Sequence, residues 1–195
     1  GSWNGSNVRN MKKVFSGATA FNQPISLWDT SKVANVWRMF HDAKSFNQYI
    51  GDWNTSSVVI AAAMFSGSTN FNQDLGKWNM SNVTNLNAMF QEAESFNSNI
   101  RDWNVSSALT LTYMFNNASS FNQDISNWKI NSAINLNEMF HDMKSLSGTN
   151  KGLIHKSFSS NPNWPYDWSE FVEDSPTGSN PTFPISDYNN TKAFP

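Results

Sequence analysis

The ten residues Ser120–Lys129, SFNQDISNWK, decide the fold of this chain because closely related stretches recur along it. The related stretches begin at Ala20 (AFNQPISLWD), Ser45 (SFNQYIGDWN), Asn70 (NFNQDLGKWN) and Ser95 (SFNSNIRDWN), at a constant period of 25 residues. A residue set that is used five times is typical of architecture rather than of an active site. We therefore interpret its phenylalanine, asparagine, isoleucine and tryptophan as core and turn residues.

Several apolar columns run through six repeats without an insertion. The tryptophan column begins at Trp3, one phenylalanine column runs from Phe15 to Phe140, and a second runs from Phe21 until Leu146 takes its place. A repeat of this length cannot bury its apolar residues alone, so neighbouring repeats must stack as a solenoid. The predicted core includes Trp28, Trp53, Trp78, Trp103, Trp128, Phe40, Phe65, Phe90 and Phe115.

The first half of each repeat has the spacing of a short helix. In the fourth repeat Val83, Leu86, Phe90 and Ala93 fall at i, i+3, i+7 and i+10, which is one face of a helix. A serine such as Ser81 precedes this run and is a suitable N-cap. The predicted class is therefore an α/β solenoid with one short helix per repeat.

The second half of the repeat favours a turn followed by a very short strand. Gly51, Gly76 and Pro24 fall inside this half and disfavour a second helix, and we place the strand near Ile100–Trp103. Such strands are expected to pair in parallel between repeats. The asparagine column, which includes Asn47, Asn72 and Asn122, is predicted to point inward and bind backbone groups of the turn.

Composition excludes several classes of function. The chain of 195 residues has a net charge of −2 and only 14% charged residues, without the basic surface of a nucleic-acid binder. No apolar run approaches the roughly 18 residues that a membrane span needs. Cysteine is absent, which excludes disulfides, thiolate nucleophiles and cysteine-ligated zinc.

The two ends of the repeat array differ. Residues 3–146 form the predicted solenoid, residues 147–172 its C-terminal cap, and residues 173–195 a linker or a tail strapped to the surface. In the cap, Ile154, Phe158, Trp164 and Trp168 are expected to cover Phe140 and Leu146. Gly1 and Ser2 look like a cloning remnant, and the first repeat begins at full consensus. We therefore expect a piece of a longer array, monomeric but able to make end-to-end contacts at the first repeat.

The repeat motif resembles a known family. The pattern W-D/N-x-S-x-V-x-N-x-x-x-M-F-x-x-A-x-x-F-N-Q-x-I, from Trp3 to about Leu146, is similar to the BspA-like bacterial surface-protein repeat. The resemblance implies a leucine-rich-repeat-like solenoid, an extracellular or cell-surface location, and a role in adhesion or partner binding. It implies no catalytic residues. Departures are modest: Val14 replaces methionine, and Ala108 and Ala133 replace valine.

The titratable residues do not form a recognisable catalytic pattern. His41 and His141 share one column but lie four repeats apart, and His155 lies in the predicted cap. The aspartates at 74 and 124, and those at 52 and 102, share columns that other repeats fill with non-acidic residues, so a regular calcium ladder is not expected. We predict no enzyme activity, no cofactor and no metal.

The variable columns are where binding specificity is expected. Position 12 of the repeat runs Lys12, Trp37, Ala62, Asn87, Thr112, Asn137, and position 13 runs Lys13, Arg38, Ala63, Ala88, Tyr113, Glu138. Trp37, Arg38 and Tyr113 are the candidate ligand-binding residues, because exposed aromatic and arginine side chains are common in binding hot spots. The predicted partner is a protein or a host surface. The alternatives are a carbohydrate-binding module that uses the exposed aromatics and a structural spacer.

Overall fold

The computed structural model describes residues 5–132 and 134–172. Within this part of the chain the helices are α1, Gly148–Phe158, and a 3₁₀ helix, Ser169–Phe171. No helix there is long and apolar enough to cross a membrane. The expectations for Trp3, for Ala133 and for residues 173–195 lie outside the described residues.

Successive repeats stack through backbone hydrogen bonds at one fixed offset. We call each repeat a coil and number the coils from the N terminus. Residues 10–17 of coil 1, and the equivalent residues of each later coil, are called the ladder segment. In coil 1 the N–H groups of Met11, Lys13, Phe15 and Gly17 donate to carbonyls 24 residues later, at N···O distances of 2.7–2.9 Å. The same offset recurs up to coil 6, and isolated parallel bridges join residues 10, 35, 60, 85, 110 and 135. Each coil therefore hydrogen-bonds to its immediate neighbours, and we propose a solenoid on this basis.

The prediction of one helix per repeat is wrong. In each ladder segment, inter-coil bonds alternate with turns within the coil, such as Val14 N–H to Met11 O and Ser16 N–H to Lys13 O. Two residues per segment have positive φ, as in Arg38 (53°) and Asp42 (55°), which an α-helix does not allow. The buried residues still follow i, i+3, i+4 and i+7, as in Val36, Met39, Phe40 and Ala43.

The spacing between coils explains why helices are excluded. The rings of the Phe15–Phe140 column stack coil on coil with centroids 5.5–5.8 Å apart. Packed helices need about 8–10 Å between their axes, whereas hydrogen-bonded extended segments lie about 4.8 Å apart. A chain that stacks its aromatic rings at this distance must use backbone pairing between coils.

The predicted strand position is also wrong. The parallel bridges lie at the start of the ladder segment, at Asn85 and Thr110 for example, and not at Ile100–Trp103. At the latter position the Trp103 N–H donates to Ile100 O across a turn. The turn removes the extended backbone that a hydrogen-bond ladder needs. In this half of the coil, side chains therefore form the hydrogen bonds between neighbouring coils.

Three aromatic columns fill the interior. Besides the first phenylalanine column, the Phe21–Phe121 rings stack at 5.8–6.3 Å and the Trp28–Trp128 rings at 6.2–6.5 Å. Indole N–H groups donate to carbonyls of the preceding coil, as in Trp78 Nε1 to Ile50 O (3.1 Å) and Trp103 Nε1 to Leu75 O (2.9 Å). The four later tryptophans and the four phenylalanines of the predicted core are buried, whereas Trp28 is half-buried.

The asparagine column lies at the surface, which corrects its assignment to the core. Asn47 and Asn72 are exposed and Asn122 is half-buried. Each side-chain oxygen accepts the backbone N–H of the next asparagine, as in Asn72 N–H to Asn47 Oδ1 (3.0 Å) and Asn97 N–H to Asn72 Oδ1 (2.8 Å). The column is thus a side-chain ladder that replaces backbone pairing where the coil turns.

The segment after coil 6 packs on the last core layer. Phe140 contacts the rings of Trp164, Tyr166 and Trp168 at centroid distances of 6.3, 5.8 and 5.3 Å. The Phe140 N–H, which would donate to a further coil, donates to the Tyr166 hydroxyl instead (2.8 Å). Burial raises the pKa of Tyr166.

The helix α1 continues the asparagine ladder. The Ser147 side chain caps α1 by accepting from the Asn150 N–H, and the Ser147 N–H donates to Asn122 Oδ1. Ile154 and Phe158 are buried on its inner side. Residues of this segment thus contact the last apolar layer and continue the polar ladder of the last coil.

Replacement of Asn47 by alanine is expected to cost about 1–2 kcal/mol of stability. Its Oδ1 accepts both the Asn72 N–H and the Gln73 Nε2 (2.9 Å), and removal leaves these donors without their protein partner. Asn47→Asp keeps an acceptor at the same place and should cost less. Urea unfolding of both variants checks this, and equal losses would contradict the ladder.

Candidate interaction site

The hydrogen-bond register places the two variable columns on one surface. Lys13 N–H donates to Trp37 O (2.9 Å), Arg38 N–H to Ala62 O (3.0 Å), and Tyr113 N–H to Asn137 O (3.0 Å). We call this surface the variable face. It consists of Lys12, Lys13, Trp37, Arg38, Ala62, Ala63, Asn87, Ala88, Thr112, Tyr113, Asn137 and Glu138. Of these residues, Ala62, Ala63 and Ala88 are buried.

Cations surround the indole ring of Trp37. Lys12 Nζ lies 4.3 Å, Lys13 Nζ 4.9 Å and Arg38 Cζ 5.1 Å from the ring centroid. Such contacts stabilise a partly exposed cation by about 0.5–1 kcal/mol each. The cluster comes from two adjacent coils, and its lysines were not among the predicted site residues. Their signal was available, since Lys12 and Lys13 precede Trp37 and Arg38 by one period.

Arg38 carries an unusual polar atom. Its Nε is buried and has no hydrogen-bond partner among the described residues. The backbone of Arg38 has φ of 53°, and the next coil offers the small residues Ala62 and Ala63 beneath it. A guanidinium N–H without an acceptor is costly to bury, while Arg38 as a whole is only half-buried.

Tyr113 does not join this cluster. It lies three coils beyond Arg38, a separation of about 14 Å at the roughly 4.8 Å spacing of paired segments. The residue is 41% exposed. Between the two positions the face holds Ala63 and Ala88, so no large side chain connects them. The structure brings together Trp37 and Arg38 but leaves Tyr113 as a separate exposed ring.

The histidines take part in local contacts. His41 Nε2 lies 3.2 Å from Asp42 Oδ2, and His141 Nδ1 lies 3.0 Å from Glu138 Oε2. In the cap, His155 Nδ1 accepts the indole N–H of Trp164 (3.1 Å). Each histidine is thus engaged with a neighbour near in sequence.

The aspartate columns bind cationic side chains. Lys77 Nζ lies 2.8 Å from Asp52 Oδ1, and Arg101 Nη1 lies 3.1 Å from Asp124 Oδ2. The pKa of Asp52 is lowered by a hydrogen bond from Lys77 and, to a smaller extent, by a hydrogen bond from Tyr49. Among the residues that the structure describes, no three histidine or acidic side chains come together as a metal site.

Comparison with known proteins identifies a family but no function. The model of a family described as Mycoplasma protein of unknown function, DUF285, matches residues 1–77 and again residues 50–152. Comparisons with curated proteins and with solved structures give no match. The two matches together span most of the chain and follow the repeats described above. The chain therefore belongs to the DUF285 family of repeat-containing Mycoplasma proteins of unknown function.

Proposed function

We propose that this chain is a non-catalytic binding domain of a bacterial surface protein, which uses the variable face for adhesion or for binding a protein partner. One contrast carries the proposal. The interior columns keep nearly the same residues from coil to coil, whereas the variable face changes from cationic through small and aromatic to acidic. A stacked repeat supplies a rigid frame on which such a face acts as an extended binding surface.

The cell-surface part of the proposal rests on the resemblance to BspA-like repeats, which occur in bacterial surface proteins. Family membership supports only the more general statement that this is a bacterial repeat protein. The sequence that surrounds this segment in its gene provides the test. A lipoprotein signal or a C-terminal anchoring signal is the expected finding, and a gene product with neither export nor anchoring signal would contradict the proposed location.

A carbohydrate-binding module is the second candidate. The exposed ring of Tyr113 favours it, since sugars stack on exposed aromatic faces. Trp37 suits a sugar less well, because three cations already lie within 5.1 Å of its ring centroid. A spacer without any ligand is the third candidate.

Binding to a panel of purified extracellular host proteins and to a glycan array separates these candidates. We expect saturable binding to one or more proteins, weakened about tenfold or more by Trp37→Ala or Tyr113→Ala. Leu27→Ala is the control, since Leu27 is 84% exposed but lies outside the variable face. Binding to glycans alone, abolished by Tyr113→Ala, would favour the carbohydrate module. No binding in either assay would favour the spacer.

A further inference from the structure

Three positively charged side chains of the variable face lie around the Trp37 ring, and no acidic side chain pairs with them in the part of the chain that the structure describes. Lys12, Lys13 and Arg38 all lie within 5.1 Å of the Trp37 ring centroid. None of them forms a salt bridge with another residue in the part of the chain that the structure describes. Like charges at such distances repel one another, and an anion relieves this repulsion. The cluster therefore has the electrostatics of an anion site.

Arg38 adds a planar guanidinium to the charges of the two lysines, and its Cζ and both lysine Nζ groups lie around the same indole. Its Nε is buried, so an approaching ligand meets the outer end of the guanidinium. A guanidinium binds a carboxylate through two parallel N–H···O bonds, and such charge-assisted bonds are stronger than neutral ones. The donor set therefore suits a carboxylate that approaches over Trp37.

The rest of the variable face indicates that the acidic part of the ligand is short. Coils 3 to 5 present alanines, Asn87, Thr112 and Tyr113 at the same two columns, without a further cation. Coil 6 presents Glu138. A long polyanion such as a sulfated glycan needs a continuous basic track and would meet repulsion at Glu138. A short acidic stretch that is followed by uncharged residues fits the whole face.

We propose that the variable face binds an extended acidic peptide segment of the partner protein, with its carboxylates at Lys12, Lys13 and Arg38 and an apolar side chain at Tyr113. This inference rests on the proposed function and deepens it. The separation of about 14 Å between the two contact points corresponds to about four residues of extended chain at roughly 3.3 Å each. Ala63 and Ala88 lie between the two points, and both are buried, so neither side chain projects into the path of such a chain.

Fluorescence polarisation with designed peptides tests the inference. The probe is a fluorescein-labelled peptide with three glutamates and a leucine about four residues further along, and its control replaces each glutamate by glutamine. We expect saturable binding of the acidic probe, about tenfold or more weaker binding of the glutamine control, and a clear loss between about 0.05 M and 0.15 M salt. A labelled sulfated oligosaccharide with the same number of negative charges should bind more weakly.

Matched variants locate the binding. Arg38→Gln should weaken the acidic probe about tenfold or more, while Lys32→Gln, at an exposed lysine outside the face, should change its affinity less than about twofold. Tyr113→Ala should weaken the leucine probe but not a version with glycine in place of leucine. Thermal unfolding shows whether each variant is folded. If Arg38→Gln does not fold, Arg38→Lys provides a second, milder variant.

Several outcomes would overturn the inference. These are equal binding of acidic and glutamine peptides, tighter binding of the sulfated oligosaccharide, absence of binding to the acidic probe, and insensitivity to Arg38→Gln. If the acidic probe fails while binding to the protein panel remains sensitive to Tyr113→Ala, only the acidic ligand is wrong. If both fail, the proposed function fails with it.

Discussion

Replacement of Trp78 by alanine is expected to destabilise the protein by about 3–5 kcal/mol, the range for removal of a large aromatic from a core. Trp78 is buried in coil 3, and its ring stacks at 6.5 Å on Trp53 and on Trp103. Its Nε1 also donates to Ile50 O. The variant therefore loses ring contacts on both sides and leaves a buried carbonyl without its donor.

Two controls divide this effect into its causes. Trp78→Phe keeps most of the apolar contact but removes the N–H donor, so an intermediate loss is expected. Trp28→Ala changes the same column at a half-buried ring two coils before Trp78 and should cost less. Chemical unfolding followed by tryptophan fluorescence and by circular dichroism measures all three. Equal losses for Trp28→Ala and Trp78→Ala would show that burial in the stack does not set the cost.

Removal of residues 151–195 is expected to convert the protein into an aggregating or end-to-end associating species. The truncation removes the rings of Trp164, Tyr166 and Trp168 from Phe140 and most of α1. It exposes the last apolar layer together with backbone donors that lack a further coil. Such an exposed patch favours self-association.

Light scattering over a range of protein concentrations measures this effect. The matched control ends at Val172, so that the difference between the two truncations isolates residues 151–172. Tyr166→Phe is a milder control, because it removes only the hydroxyl that accepts the Phe140 N–H. A soluble monomer after truncation at 150 would show that this segment does not protect the end of the stack, and Trp164 and Trp168 would become candidate ligand contacts.

Much of the interior follows directly from the sequence. The period of 25 identifies which residues lie above one another, and the apolar columns identify the three aromatic stacks. These features depend on composition at fixed spacing, which a sequence displays without knowledge of the backbone. The aromatic residues that follow the last repeat likewise point to a covered end.

The candidate site was only partly predictable. Trp37, Arg38 and Tyr113 stand out because the repeat has no consensus aromatic or arginine at their columns. The partnership of Trp37 with Lys12 and Lys13 depends on the register between coils 1 and 2, and the buried Arg38 Nε depends on side-chain packing. Neither is visible from one repeat alone.

The backbone path was decided by the tertiary structure. A spacing of i, i+3, i+4 and i+7 suits an α-helix and equally suits the chain of turns observed here, so Val36, Met39, Phe40 and Ala43 do not distinguish them. Position 17 of the repeat nevertheless indicated the turns. Gly17, Asp42, Gly67 and Asn117 occupy this position, and these residue types tolerate positive φ. By itself the sequence determined which residues are interior and how often they recur. The choice of turns over helices came from stacking, because rings about 5.5–6.5 Å apart bring the backbones of adjacent coils close enough to hydrogen-bond and leave no room for helices between them.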